Sequence, residues 1–356
     1  MQLNEAQLKV VAEYAHVTPA GHVLFHGPPG CGKTYFISQL IKPYLQHSKK
    51  MKIMLLSPTN NGDDILSQTA RSTITELETT PAIPTRKVYS VRMHTPDTER
   101  DIVMQETKKA RGRPEDATPP LAVQGLDQAD QDTLTQLQTA KMLKGHYDMS
   151  VKQRFELIND DRVNFLTDFL GYKMLETCGY YETGPKPEAD KADKSAKFKN
   201  FLEVYRQYEN GHDLDKAALQ SLKEHTKQLE THTLSQADVM CSTPDNMANA
   251  RVFRYYNNVK LIVLDDAARV PEPATLAVYA HYAGCTAIFL IGDKMQLKFV
   301  VPAASNVKDR MVNQLELSLM TRLESAGFPT VLFDTQYRMV PEIAAVINDN
   351  VYHGPC

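Results

Sequence analysis

The stretch "GPPGCGKT", Gly27 to Thr34, constrains what this chain can fold into more than any other feature. It fits G-x-x-x-x-G-K-[ST], a pattern in which glycines turn the backbone so that successive N–H groups point at phosphate oxygens. Its flanks agree, since "HVLFH" reads as a strand leading in and "TYFISQLI" as a helix leading out. Gly27, Pro28, Pro29, Gly30, Cys31, Gly32, Lys33 and Thr34 are therefore expected to cradle a nucleotide's phosphates at a helix N-terminus. Lys33 is expected to reach the β- and γ-phosphates, and the Thr34 hydroxyl to ligate Mg2+.

The rest of the chain supplies the sheet such a cradle needs. Aliphatic runs occur at residues 23–26, 53–57, 88–91, 239–242, 261–264, 287–291 and 331–333. Several are continuous in Val, Ile and Leu, as in strands covered on both faces of a parallel sheet. Helical patterns such as "TYFISQLIKPYL" and "DILSQTARSTITEL" lie between them, which predicts an α/β architecture of sheet flanked by helices. The rhythm stops near residue 94 and resumes near 237. In between, "VKQRFELIND", "RVNFLTDFLGYKML", "AKFKNFLEVYRQYE" and "LDKAALQSLKEHTKQLETH" read as helices. The expected organisation is a first part at 1–93, a mostly helical insertion at 94–236, and a second part at 237–356.

A phosphate cradle of this type needs an acid at the end of a buried strand, and "KLIVLDD" supplies two. Asp265 is expected to hold magnesium through water, and Asp266 to stand where a base orients the attacking water. Paired acids after a strand can also be helix caps. Arg269, three residues on, has two readings: an added positive group facing the phosphates, or a partner of Glu272 at the surface, the favoured arrangement.

The bulk numbers exclude several classes. With 40 Lys plus Arg against 43 Asp plus Glu, the net charge of -3 does not announce a nucleic-acid partner, although a local basic groove stays open. Five cysteines without a C-x-x-C pair argue against a disulfide framework or a zinc module. His225 and His232 read as helix histidines in water, not ligands. "RGRP" (residues 111–114) reads as solvated charge, and the lysines of "KADKSAKFKN" flank Phe198, either along a nucleic-acid path or on an amphipathic helix. The start has no signal-peptide pattern and no apolar run could span a bilayer, so an intracellular protein, cytoplasmic or nuclear, without membrane contact is expected.

With the cradle and the paired acids in place, five further short pieces, taken in order, resemble the superfamily 1 helicases, in particular the group of the nonsense-mediated-decay RNA helicase. "LNEAQ" looks like their adenine-reading motif, with Gln7 on the base. "LLSPTNNGDDIL" is similar to motif Ia, placing Pro58, Thr59 and Asn60 along a nucleic-acid backbone, and "ADVMCST" sets Thr243 beside phosphate. "LIGDKMQL" resembles motif III, with Gln296 sensing the γ-phosphate. "FDTQYRMVPEIAAVI" resembles motif IV, with Tyr337 packing near the base and Arg338 reaching the γ-phosphate.

The resemblance implies a P-loop NTPase with a RecA-like sheet, using ATP and Mg2+ to move on single-stranded RNA or DNA. Lys33, Asp265, Asp266, Gln296 and Arg338 would carry the chemistry. The chain departs from the family in three ways. Motif II reads "DDAAR" where the family has Asp-Glu-Ala-x-Gln. Motif III continues "QLKFVV", with Lys298 and Phe299 in place of prolines. The sequence stops at Cys356, so a second RecA-like lobe is expected in cis or from a partner. An aspartate falls about 1.5 Å short of a glutamate. Base positioning supplies about 10² to 10⁴ in rate, so the expectation is nucleotide binding with slow hydrolysis. The competing expectation is a degenerate module that binds nucleic acid or protein and hardly turns nucleotide over.

Overall fold

The computed structural model describes residues 21–79, 88–95, 98, 126–153, 165–180, 198–210, 212, 214–297, 299 and 312–352. These fall into two compact units, one from residues up to Ser90 together with those from Ala237 on, the other from Val91 to Gln236. In chain order the strands are β1 (His22–His26), β2 (Lys52–Leu56), β3 (Ser90–Arg92), β4 (Val239–Ser242), β5 (Val259–Leu264), β6 (Ala287–Gly292) and β7 (Thr330–Leu332). The longer helices are α1 (Lys33–Gln46), α2 (Asn60–Glu78), α3 (Gln128–Gln153), α4 (Leu170–Thr177), α5 (Lys199–Glu209), α6 (Lys216–Gln236), α7 (Glu272–His281) and α8 (Pro341–Ile347).

Among the described residues the strands form one sheet in the order β3-β4-β2-β5-β6-β1-β7. The five pairings that join β4, β2, β5, β6, β1 and β7 are all parallel. Every one of the seven runs picked out from its Val, Ile and Leu content contributes to a strand. The fold is an α/β, RecA-like P-loop NTPase sheet flanked by helices.

The continuous apolar runs make sense of the packing, because β1, β2, β5 and β6 are buried along almost their whole length. An aromatic cluster anchors the cradle side. Phe25 stacks on Phe289 with centroids 5.7 Å apart and packs against Phe36 at 5.1 Å and Phe333 at 5.3 Å. Each such buried ring contributes about 1.5–3 kcal/mol, so β1, α1, β6 and the end of β7 are clamped together beneath the loop.

Register then does the functional work. His26 lies level with Gly292 and Leu332, and Leu56 lies level with both Ser242 and Leu264. In a parallel sheet this brings the carboxyl ends to one edge, where ligands bind in open α/β folds.

The described residues of the unit from Val91 to Gln236 are mainly helical beyond its first residues. α3 packs on α4 and α6, and α5 packs on α6. Buried Asp130 on α3 receives Lys223 at 3.2 Å and Lys227 at 3.3 Å from α6. Phe198, Phe201 and Leu202 are buried and Lys199 pairs with Glu203, so the described end of that lysine cluster is an amphipathic helix. His225 bonds back to the Ser221 carbonyl at 2.7 Å and His232 packs on Phe198, so neither is simply a solvated ring.

Two helix expectations need correction. α3 was not foreseen, because Gln, Thr and Asp dominate it and only sparse residues such as Leu134, Leu137 and Ala140 mark its buried face. The expected helix over 162–175 is interrupted: a 3-10 turn (Phe165–Asp168) ends at Phe169, which bridges to Arg92, before α4 begins. "RGRP" and residues 154–160 of "VKQRFELIND" lie outside the described residues. Among the described residues no helix is long and apolar enough to cross a membrane.

Candidate functional site

The loop after β1 is shaped for close approach. Gly27 N–H donates to the Gly292 carbonyl at 2.8 Å, tying the loop's start to the end of β6. Gly30 and Gly32 adopt φ of 84° and 82°, a region that disfavours side chains. A Cβ on Gly27 would come within 2.9 Å of Cys31 Sγ and 3.0 Å of the Lys33 chain. Lys33 lies back across the loop, its Nζ donating to the carbonyls of Gly27 at 2.7 Å and Pro28 at 3.4 Å. Those carbonyls hold the ammonium where an incoming phosphate can exchange for them. Thr34 is exposed in the first turn of α1. Cys31 is buried, and burial pushes its thiol up to about 11 against the pull of Lys33, so it packs the loop and is not a reactive group.

Opposite the loop, Asp265 follows β5 and its N–H donates to the Leu56 carbonyl at 2.8 Å. Burial and then the Asp266 charge raise its carboxyl to about 6, while the Lys33 ammonium pulls it down. Lys33 and Asp265 therefore sit in one another's field, although they come from opposite ends of the chain. Asp266 takes a left-handed conformation, φ 52°, and its N–H donates to Asp265 Oδ1 at 3.0 Å.

Arg269 corrects the sequence reading. It does not reach Glu272, which Arg322 holds at 2.6 Å; its guanidinium turns back to Asp266, with Nη1 and Oδ2 3.6 Å apart. The reason is a tight turn: Arg269 N–H bonds to the Asp266 carbonyl at 2.8 Å, which aims the side chain backwards.

The donor set fits a magnesium ion carried by a nucleotide. Thr34 and Asp265 offer hard oxygens from the same sheet edge, and Mg2+ keeps most of its waters, needing only one or two protein oxygens. A divalent cation would also offset the burial and the Asp266 charge that raise the Asp265 carboxyl. Among the described residues no cage of three or more His, Cys, Asp or Glu exists.

The other candidates follow neighbouring strands at the same edge. After β2, Thr59 caps α2, its Oγ1 accepting from Gly62 N–H at 3.1 Å, with Pro58 before it and Asn60 as the first helical residue. Ser57 N–H donates to the Ser242 carbonyl at 3.4 Å, which sets Thr243, at the start of a short helix, on the adjacent strand end. Gln296 follows β6 and its Nε2 donates to Asp293 Oδ2 at 3.1 Å. Residues 336–338 follow β7: Tyr337 N–H donates to the Gly30 carbonyl at 2.8 Å, and both Tyr337 and Arg338 are exposed. Gln7 lies outside the described residues.

Sequence reasoning missed two groups. Asp293, buried at the end of β6, gathers His26 at 3.4 Å, Tyr352 at 2.5 Å, Met295 N–H at 3.0 Å and Gln296. Burial pushes its carboxyl up, but hydrogen bonds from His26, Tyr352, Met295 and Gln296 outweigh that and hold it at about 2. Gln336 is the second. Its Oε1 accepts from the N–H groups of Arg338 and Met339, its Nε2 donates to the Met339 carbonyl at 2.8 Å, and the turn so formed packs on Gly30. A cleft lies between Pro28, Pro29 and Cys31 on one side and Gln336, Asn348 and Tyr352 on the other. The signal for Asp293 was present in the Gly-Asp step three residues before Gln296.

Comparison with known proteins gives a consistent picture. A family model described as AAA domain matches residues 2–303. The chain is similar to the probable helicase MAGATAMA 3 of Arabidopsis thaliana, 31% identical over 35% of this chain and 15% of that protein. It is 24% identical to Helicase SEN1 of Saccharomyces cerevisiae over 99% of this chain and 15% of that protein. It is 29% identical to Regulator of nonsense transcripts 1 of Caenorhabditis elegans over 40% of this chain and 12% of that protein. The chain thus spans no more than 15% of the length of these relatives.

Proposed function

The chain belongs to the AAA domain family, in its superfamily 1 helicase-like group, and on that premise we propose that it is the ATP-binding lobe of a nucleic-acid motor. ATP binds with Mg2+ between the Gly27–Thr34 loop and Asp265, and its slow hydrolysis drives movement on single-stranded RNA or DNA. The observation that carries this reading is the single sheet edge: Lys33 and Asp265 share one electrostatic field there, with Thr59 and Thr243 on adjoining strand ends.

The roles follow from position. Lys33 and the loop amides bind the β- and γ-phosphates, and Thr34 and Asp265 hold the metal, whose charge supplies electrostatic stabilisation of the leaving phosphate. Asp266 orients the attacking water. Gln296 reports the γ-phosphate to the strand side and Arg338 supplies charge to it, while Gln7 and Tyr337 hold the base. Pro58, Thr59, Asn60 and Thr243 line the path of the strand. The stretch from 94 to 236 is an accessory subdomain of this lobe, and a second RecA-like lobe, in cis or from a partner, completes the motor.

A second reading is favoured by one observation: the Arg269 guanidinium faces the Asp266 carboxylate at 3.6 Å and competes with its use as a base. On that reading the protein grips nucleic acid or a partner and nucleotide is a structural ligand. ATP hydrolysis by the full-length protein, with and without single-stranded RNA or DNA, separates the two. Stimulation by strands supports the motor, and tight, salt-sensitive strand binding without turnover supports the module. Indifference to strands in both binding and turnover sinks both.

A further inference from the structure

We infer that Arg269 is a positioning residue that holds the Asp266 carboxylate in an ion pair, so that opening of this pair limits nucleotide hydrolysis. The inference rests on the proposed ATP site and adds a residue to it.

The geometry of the turn carries the argument. Ala267 and Ala268, which link the two charged residues, are buried against the end of β6, where even a Cβ on Gly292 would come within 2.8 Å of Ala268 N. The backbone between Asp266 and Arg269 is therefore fixed, and its closing hydrogen bond from Arg269 N–H to the Asp266 carbonyl, 2.8 Å, keeps the guanidinium on the Asp266 side. The other acid within a turn, Glu272, is occupied by Arg322 through both Nε at 2.7 Å and Nη2 at 2.6 Å, so nothing draws Arg269 forward.

The pair is attractive without being rigid. At 3.6 Å it is too long for a hydrogen bond, and the side chains are 39% and 30% exposed, so solvent and salt reach it. Asp266 also has a like charge beside it, since Asp265 is adjacent and the Asp266 N–H donates to its Oδ1 at 3.0 Å. While the carboxylate is paired with the guanidinium it is not available to order a water. A triphosphate adds further repulsion, so Asp266 reaches the attacking water only when the guanidinium lets go.

The test is steady-state ATP hydrolysis by the full chain without nucleic acid, at saturating Mg-ATP, for the parent, Arg269→Gln and Arg269→Lys. An exposed pair of this kind is worth roughly two- to fivefold in an equilibrium, so Arg269→Gln raises kcat about two- to fivefold with KM unchanged, while Arg269→Lys stays near the parent. Added salt screens the pair, so kcat of the parent climbs with ionic strength and that of Arg269→Gln stays flat. A variant no faster than the parent, or one with the parent's salt response, overturns the inference whether the parent is slow or inert. Binding of a fluorescent ATP analogue with Mg2+ separates the two levels: if the parent fails to bind it, the site itself is misread; if binding is intact and Arg269→Gln is no faster, only the role of Arg269 falls.

Discussion

Replacing Gly30 with alanine strikes a backbone contact that joins the phosphate loop to the turn after β7. Gly30 has φ +84°, and a Cβ there would lie 2.8 Å from both Arg338 Cβ and Gln336 Oε1. A side chain in the left-handed region costs about 1–2 kcal/mol. Pushing the turn away also stretches the 2.8 Å bond from Tyr337 N–H to the Gly30 carbonyl, which is worth about 0.5–1.5 kcal/mol. The two terms add to about 1.5–3.5 kcal/mol against folding. If the loop instead yields and the turn stays, the same strain distorts the cradle, and each 1.4 kcal/mol weakens nucleotide binding about tenfold. Urea unfolding and titration with a fluorescent ATP analogue read the two routes. The control is Gly284→Ala, where a Cβ meets nothing within 4 Å and the change stays within about 0.5 kcal/mol. Gln336→Ala removes one of the two close contacts but also its own bonds to Arg338 and Met339, so the expected result is that Gly30→Ala costs less in the Gln336→Ala background than in the parent, by less than half because φ is untouched. A Gly30→Ala protein with parental stability and parental nucleotide affinity refutes the reasoning.

Asp266→Glu restores the length of the water-orienting acid and is expected to raise strand-stimulated turnover about tenfold or more, out of the 10² to 10⁴ that base positioning supplies; unchanged or lower turnover counts against the assignment. Asp293, held at about 2 against an ordinary 3.8, is depressed in the folded protein, so its contribution is fully present above about pH 4 and is lost as pH falls toward about 2, on the order of 2 kcal/mol. Asp293→Asn should therefore lose stability at neutral pH and flatten the unfolding free energy across that acid window; a slope equal to the parent's would exclude the hub. Thr59→Ala removes the α2 cap, costing about 1 kcal/mol, and is expected to weaken single-strand binding without changing its salt slope, because a hydroxyl releases no counterion; an altered slope in a salt titration would show that the threonine acts through a neighbouring charge.

The sheet was legible because strands buried on both faces announce themselves as unbroken runs such as "LIVL" and "AIFLIG". The loop from Gly27 to Thr34 was legible for a different reason, since its glycines leave little latitude in what backbone can follow a strand there. α3 was hidden because its buried stripe is thin and its remaining residues suit a helix and a solvated loop equally. Arg269 was misread because a helix-turn pattern looks forward to Glu272, whereas the 3-10 turn at residues 267–269 points it back; turn type there depends on packing against β6, a strand the local sequence does not mention. Asp293 needs β1 and β6 side by side before His26 can reach it, and only the assembled register supplies that.

That register has a consequence for how the molecule comes into being. β1, the strand that feeds the phosphate loop, has β6 and β7 as its neighbours, both made from the far end of the sequence. During synthesis, β1 must wait with its hydrogen-bonding edges unsatisfied while everything up to Gly292 emerges from the ribosome, and contacts of such sequence separation form slowly. Nascent chains that stall before β6 should thus expose an apolar strand and bind chaperones, and nucleotide capture should appear only as one of the last events of folding.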